Sequence, residues 1–409
     1  MKVLLIHTSY KFKGGEDDVV FNELELLRLN GVTADLFQFS NKKNTFFKFL
    51  QLPFNVSSYI KTRKKLRSFK PDIVHVHNLH FGGSPAVIAA LKKEKVPFVL
   101  TLHNYRLLCP SATLFNKGEI FLHSVKKQFS WKAIYEGVFH QSKLLTFWVS
   151  VSIKFHHWMG TWDAGSRYIV LSKHSDSIFR NSILKLASDR IIIKPNFCYA
   201  PKLSVFRQGN YYLYVGRLTE EKGIMLLLNT FASLKLPLKI VGSGPLEEEV
   251  EAWCLRFSNI EYQGFRKRED VLNLLMDCNA LVFPSLCFET FGMVIIEAFS
   301  TGTTVIASRR GSMLNTITDK FNGLHFEPGN KADLIEKINT WEYLKEEEKE
   351  VYRKNARLTY EQYSPEKNAK QLISIYTAVL EEGEKRVMLN PEKSKVQKPE
   401  RQITKLPIY

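Results

Sequence analysis

The stretch YYLYVGRLTEEKGIMLLLNTFASLKLPLKIVGSGPLEEEV, residues 211–250, repeats one structural rhythm twice. An apolar, aromatic-rich run at 211–216 breaks at Gly216, and a helix-patterned segment starts near Ile224. A second apolar run at 238–242 then ends in a Gly-x-Gly turn before an acidic helix start. Apolar runs without polar alternation are strands buried on both faces, and strands separated by helices pair in parallel. The rhythm continues at 260–264, 280–284 and 304–308, and an earlier set of runs lies at 3–7, 34–39, 73–77, 98–103 and 168–172. The expectation is an α/β chain of two doubly wound, Rossmann-like units facing across a cleft, with the run at 191–195 leading into the join. In such sheets ligands lie beyond the carboxyl ends of the strands, so the loops after these runs are where chemistry belongs.

Composition narrows the classes. The chain has 409 residues, 44% apolar and 24% charged, which excludes whole-chain disorder, a collagen-like repeat and a disulfide-stapled miniprotein. Five cysteines, at 109, 198, 254, 278 and 287, contain no C-x-x-C pair and point to a reducing compartment. The longest apolar stretch, 144–155, is too short for a membrane span and carries Lys154; the opening VLLIH reads as a first strand rather than a signal peptide. The net charge of +17 is uneven, with 29 Lys+Arg against 13 Asp+Glu up to Pro195 and 29 against 28 from Asn196. Two basic stretches, 42–70 and 126–158, interleave lysines with aromatics. That mixture suits anionic lipid headgroups, and it also suits a solvated basic face over buried aromatics; nucleic acid is not the expected partner.

Three segments carry candidate chemistry. GRLTEEKG, residues 216–223, places Arg217 and Lys222 on one strand-to-helix loop, where both can meet an anion at a helix N-terminus, although solvated loop cations look the same in a sequence. KIVGSGPLEEEV, residues 239–250, offers Gly242 and Gly244 for close backbone approach or for a plain tight turn. Glu247 stands where a dinucleotide fingerprint has its third glycine, and the first half has only Lys13-Gly14-Gly15-Glu16, so a nicotinamide oxidoreductase is disfavoured. FPSLCFETFGMVIIEAFSTG, residues 283–302, carries Glu289 and Glu297 eight positions apart around a glycine turn. On one helix they would stand about 12 Å apart. Glycosidase carboxyl pairs lie about 5–9.5 Å apart, so these glutamates fit better as contacts to two ends of an elongated ligand, or as two exposed glutamates. His75 and His77 share a strand face, with His80 and His103 nearby, but no acid or cysteine in that neighbourhood completes a ligand set, and no metal is expected. Ser172 lacks a nucleophile elbow.

Together GRLTEEKG, GSGPLEEEV, FPSLCFETFGMVIIEAFSTGTTVIAS and, in the first half, KGGE, DIVHVHN and TLHNYRLLCP resemble the family-4 retaining glycosyltransferases of the GT-B fold, over residues 1–380. The resemblance implies sugar transfer from a nucleotide sugar, UDP- or GDP-linked, with retention, no cofactor and no essential metal. By position Arg217 and Lys222 match the pair holding the donor diphosphate, and Glu297 the acid accepting from the ribose hydroxyls. Glu289 matches the acid near the donor sugar, beside the amides of Phe291, Gly292 and Met293. His103 matches the histidine reaching the reacting sugar, and Gly14 and Gly15 the loop closing over the donor. Thr304 and the segment GSMLNTI, residues 311–317, depart from the family pattern in the wall around the donor.

The implied organisation is an acceptor-binding domain at 1–195, a linker at 196–210 and a nucleotide-sugar-binding domain at 211–365. A helix at 366–383 would pack back towards the first domain, and a flexible charged tail would fill 384–409. The expected function is transfer to a glycan or lipid-linked acceptor in cell-surface polysaccharide biosynthesis, in the cytoplasm and peripheral on the inner membrane face. A noncatalytic nucleotide-sugar-binding partner is the alternative.

Overall fold

The computed structural model describes residues 1–9, 15–41, 45–127, 129–201 and 209–389. Two six-stranded parallel sheets form. The first runs in the spatial order Thr33–Ser40, Lys2–Ser9, Ile73–Val76, Phe98–Thr101, Arg167–Val170, Ile191–Ile193. The second runs Ile260–Tyr262, Leu238–Val241, Tyr212–Val215, Ala280–Phe283, Val305–Ser308, Gly323–Phe326. Every pairing within both sheets is parallel. The central strands Ile73–Val76, Phe98–Thr101, Ala280–Phe283 and Val305–Ser308 are buried along their whole length, as expected for sheets covered by helices on both faces.

Each sheet reverses its winding at one place. In the first it falls between Lys2–Ser9 and Ile73–Val76; in the second it falls between Tyr212–Val215 and Ala280–Phe283. At a reversal the two connecting helices depart to opposite faces and leave a crevice. The loops after Tyr212–Val215 and Ala280–Phe283, which carry Arg217, Lys222 and Glu289, flank the second crevice.

Five outcomes differ from the sequence reading. The run at 191–195 is a true sixth strand, Ile191–Ile193, and the second sheet gains Gly323–Phe326, whose four residues Gly-Leu-His-Phe show no recognisable period. A short hairpin, Phe115–Asn116 with Glu119–Ile120, turns through Lys117 and Gly118. Both turn residues have positive φ, of 48° and 81°. The start of the expected linker is buried: Phe197 and Cys198 are inaccessible, and Tyr360 donates its hydroxyl to the Cys198 carbonyl at 2.7 Å; residues 202–208 lie outside those described. The last helix spans Pro365–Leu389, six residues past the expected start of a flexible tail, and residues 390–409 lie outside those described.

This last helix buries Leu372, Ile375, Tyr376 and Val379. Gln371 donates to the Ile193 carbonyl at 2.9 Å, Asn368 to the Pro195 carbonyl at 2.8 Å, and Glu382 pairs with Arg167. Among the described residues no helix is long and apolar enough to cross a membrane.

Candidate active site

The two loops at the second winding reversal are bound to one another before they present anything to the cleft. Gly223 holds φ of 72°, and a Cβ there would sit 2.0 Å from the Pro284 carbonyl oxygen, so only glycine lets the chains meet. The Glu221 carbonyl accepts from the Leu286 amide at 2.8 Å. On this base Lys222 Nζ donates to Glu289 Oε1 at 2.5 Å, and Ser285 Oγ donates to the same oxygen at 2.7 Å. Burial alone would raise the Glu289 carboxyl, but Lys222, Ser285 and Arg217 together hold it below the ordinary carboxylate range. Lys222 is held above its ordinary value by the same partner, against its own burial. Arg217 is exposed at the loop tip, its carbonyl accepting from the Tyr214 hydroxyl at 2.8 Å.

Glu289 stands in the loop, and the helix begins at Met293, with Gly292 as N-cap at φ of 86°. The helical 12 Å spacing considered for the two glutamates therefore does not apply, because the glycine turn breaks the chain between them. They remain in separate settings. Glu297, on the helix Met293–Thr301, accepts from Arg268 Nε at 3.0 Å, and Arg268 also donates to the Tyr199 carbonyl at 2.7 Å. Burial raises the Glu297 carboxyl, with Arg268 opposing. The departing segment at 311–317 braces the Glu289 loop from behind. Ser312 Oγ donates to the Phe291 carbonyl at 2.9 Å and the Ser312 amide to the Glu289 carbonyl at 3.2 Å.

The Gly242 and Gly244 turn receives the chain's own backbone. A Cβ on Gly242 would lie 1.8 Å from the Gly216 carbonyl oxygen, and one on Gly244 would lie 2.5 Å from that of Leu218. Both glycines are required by loop-on-loop packing beneath Arg217, where the sequence left close ligand approach and a plain tight turn as alternatives.

Across the cleft, the Thr290 hydroxyl donates to the His103 carbonyl at 2.7 Å, tying the Glu289 loop to the end of the strand Phe98–Thr101. The His103 ring meets His77, Nε2 to Nδ1, at 2.9 Å. His77 Nε2 lies 3.3 Å from Glu23 Oε2, whose other oxygen accepts from Lys194 Nζ at 2.8 Å. His75 completes the cluster, bonded to Tyr376 at 2.7 Å and to Thr101 at 2.7 Å. Neither His77 Nε2 nor Glu23 Oε2 has a hydrogen-bond partner among the described residues, and in the His77–His103 pair one ring donates and the other accepts. Burial pushes the His103 imidazole down to about 3 and keeps His75 and His77 neutral as well, while Lys194 holds Glu23 below its ordinary value against burial.

Here the sequence reading is corrected. Glu23, contributed by the helix Gly15–Leu29, is the acidic partner for His75 and His77 that local sequence did not reveal, and the three form a group of metal-ligating type. Lys194 already supplies a positive charge to Glu23 in that place. Lys194, Arg268 and Tyr376 were also missed, since each reaches its partner from a distant segment, and so was Ser285, only four residues before Glu289. Gly15 opens the helix Gly15–Leu29 opposite Met293, where an added Cβ would lie 3.5 Å from Met293 Cγ. Gly14 lies outside the described residues.

Comparison with known proteins bears on the family and the fold. Residues 200–359 match the model for glycosyl transferases group 1, and residues 32–141 match that for glycosyltransferase family 4. The O-antigen chain mannosyltransferase C of Escherichia coli is 24% identical over 414 residues, covering 93% of this chain and 99% of its own. An uncharacterized glycosyltransferase of Methanocaldococcus jannaschii is 25% identical, covering 83% of this chain and 87% of its own. A sucrose-phosphate synthase of Thermosynechococcus elongatus superposes with a TM-score of 0.69 at 18% identity, over 92% of this chain and 98% of that one. HepE of Anabaena in complex with UDP-glucose does so with a TM-score of 0.65 at 15% identity, over 92% and 99%. Two parallel sheets, with one of these family models matched in each half, make this chain a member of the family-4, group 1 glycosyltransferases, enzymes of the GT-B fold that take a sugar from a nucleotide-sugar donor.

Proposed function

We propose that the protein is a retaining, metal-independent hexosyltransferase that moves a sugar from a UDP- or GDP-sugar to a glycan or lipid-linked acceptor during cell-surface polysaccharide assembly, on the cytoplasmic face of the membrane. The observation that carries the reading is the Lys222–Glu289–Ser285 cluster at the second winding reversal, joined by Thr290 to His103 on the opposite domain.

Charge develops on the diphosphate as the bond from its oxygen to the anomeric carbon breaks. Arg217, Lys222 and the free amides at the start of the helix Met293–Thr301 meet that charge, which is the service a divalent ion gives elsewhere. Lys222 is already bonded to Glu289, so the carboxylate meeting the donor sugar hydroxyls and the ammonium meeting its phosphate act as one unit. Glu297, oriented by Arg268, accepts from the ribose hydroxyls. Phe291, Gly292 and Met293 line the sugar, and Gly15, opposite Met293, faces the donor from the first domain. His103 stays neutral and presents its ring to the reacting sugar. The acceptor oxygen bonds to the anomeric carbon on the face the phosphate leaves, and its proton passes to the departing phosphate oxygen, so configuration is retained without a protein nucleophile. The Escherichia coli relative supports a polysaccharide setting, and the UDP-glucose complex of HepE makes UDP-sugars the first donors to test.

Purified protein given UDP- and GDP-sugars in EDTA should hydrolyse one donor slowly and transfer it when an acceptor is added. Complete loss in EDTA, restored by one divalent ion, overturns the metal-independent mechanism. Tight donor binding with no turnover under any condition points to the noncatalytic alternative.

A further inference from the structure

Lys194 and Glu23 are 1% and 2% exposed, and their bond at 2.8 Å ties the segment after the strand Ile191–Ile193 to the helix Gly15–Leu29. Two apolar side chains of like volume would fill such a place without desolvating any charge, so stability alone does not account for the pair. The carboxylate has one direction left in which to act. Its second oxygen, Oε2, has no hydrogen-bond partner among the described residues and stands 3.3 Å from His77 Nε2, which has none either. His75 Nδ1 is nearly as close, at 3.6 Å, but both nitrogens of that ring are already bonded, one to Tyr376 and one to Thr101 at 2.7 Å each. The Glu23 charge therefore falls on His77.

Among the described residues the His77 ring makes one hydrogen bond, to His103. The two rings meet Nδ1 to Nε2 at 2.9 Å and lie 23° from parallel, with centroids 5.2 Å apart. Both are neutral, because burial pushes His103 down to about 3 and His77 well below its ordinary value. A neutral imidazole carries one proton on one of its two nitrogens, so the pair has two arrangements. In the first, His77 carries its proton on Nδ1 and donates to His103, which sets a bare ring nitrogen and its lone pair 3.3 Å from the carboxylate oxygen. In the second, His77 carries the proton on Nε2, next to the negative charge, and Nδ1 accepts from His103 Nε2–H. The Glu23 charge separates the two in favour of the second.

We propose that Lys194 and Glu23 are positioning residues of the sugar-transfer site: the pair holds the His77 proton on Nε2, which makes His103 the donor in the ring-to-ring bond and leaves His103 Nδ1 bare, an acceptor for a sugar hydroxyl. Lys194 keeps the carboxylate charged, Glu23 orders His77, and His77 orders the ring that meets the substrate. Neither charged residue touches a sugar. This rests on the transferase reading of the cleft and on the place that reading gives His103, and adds to it the device that sets the direction of a hydrogen bond there.

The test compares the unaltered full chain with a double variant, Glu23→Gln with Lys194→Met, which removes both charges together and leaves no unpaired one buried. With 15N-labelled histidine, nitrogen spectra report which ring nitrogen is bare. The unaltered chain should show His77 protonated at Nε2 alone and His103 bare at Nδ1, and the double variant a mixture of the two arrangements. The first of these measurements needs no variant, so misfolding of the double variant leaves it standing. With the preferred donor, kcat of the double variant should fall about fivefold while the donor KM stays within about twofold, since the His103 ring is still present but no longer held in one form. On a His103→Ala background the same double substitution should change kcat by less than about twofold, because the ring through which it acts is gone. His77 protonated at Nδ1 in the unaltered chain, or spectra unchanged by the double substitution, overturns the proposal. So does an equal loss of kcat on both backgrounds, the result a merely structural pair gives. Because the spectra need no turnover, the two readings fail separately: the expected spectra without hydrolysis of any donor sink the transferase reading and leave the ordering of the rings standing, whereas turnover with unchanged spectra sinks the pair's role alone.

Discussion

The two halves share one architecture and solve opposite electrostatic problems. Ten of the 11 histidines precede Pro195, and His325 is the only one after it. Beneath the first winding reversal lies a buried group of neutral imidazoles around one Glu23–Lys194 pair; at the second, the core is apolar and the charge is carried by Lys222–Glu289 and Arg268–Glu297 on cleft-facing elements. On the proposed reading the first domain faces an alcohol acceptor, for which neutral imidazoles orient without repelling, and the second faces a diphosphate, for which fixed charge is in place before the donor arrives. The sheets are interchangeable scaffolds, and the strand-end residues make the difference.

The sharpest way to break this contrast is to remove charge from the second half. Glu289→Ala leaves the half-buried Lys222 without its counter-ion and, on the proposed reading, removes the acid at the sugar, so kcat should fall about 10²- to 10³-fold, comparable to losing one preorganised electrostatic contact. His103→Ala should lower kcat by about tenfold or more with a smaller change in KM. Steady-state kinetics with circular dichroism as a folding check decide this, and a pure KM effect for either variant would show the roles to be misplaced.

Acid should separate the halves next. A histidine held near 3 in the folded protein stays neutral while its unfolded counterpart, at about 6.5, takes up a proton. The stability it gives is whole above pH 6.5 and is lost as pH falls towards 3. At pH 5 His80 and His103 should each cost about 2 kcal/mol. Hydrogen exchange at pH 5 against pH 7 should show amides of Ile73–Val76 and Phe98–Thr101 losing protection while Ala280–Phe283 and Val305–Ser308 keep theirs. Uniform loss across both sheets would erase the distinction.

Smaller effects sharpen the donor side. Glu297→Ala should raise the donor KM about tenfold with little change in kcat, since the ribose is the same in ground and transition states and each charge-assisted hydrogen bond contributes about 1.5–3 kcal/mol. Thr290→Val removes the hydroxyl that ties the Glu289 loop to the His103 carbonyl. A loss of about 1 kcal/mol, near fivefold in kcat/KM, is expected.

What could be read from the sequence was local. A strand, a glycine turn and a charged loop fall within ten or so residues of one another, so the parallel runs, the Arg217–Lys222 loop and the Glu289–Glu297 segment were legible by pattern alone. What escaped was joined across the chain. Glu23 meets His77 from a helix of another segment, Lys194 reaches Glu23 from the end of the first domain, and Tyr376 reaches His75 from the last helix. Periodicity assigns such residues to a buried face without saying whom they meet. Gly242 and Gly244 show a further limit: a glycine pattern reveals that something comes close, and only the fold reveals that the visitor is the neighbouring loop.

The route of the last helix has a mechanical consequence. The chain leaves the first domain at Pro195 and returns to it in the helix Pro365–Leu389, and Asn368 grips the Pro195 carbonyl at 2.8 Å, so the outward and return crossings lie side by side. Two bodies joined at a single strand can swivel freely. Joined by two adjacent strands, they keep one soft axis, as a door does on its pins. If the transferase reading holds, opening to release nucleoside diphosphate is a rotation about that axis, which parts Thr290 from His103 while Asn368 keeps its hold on Pro195.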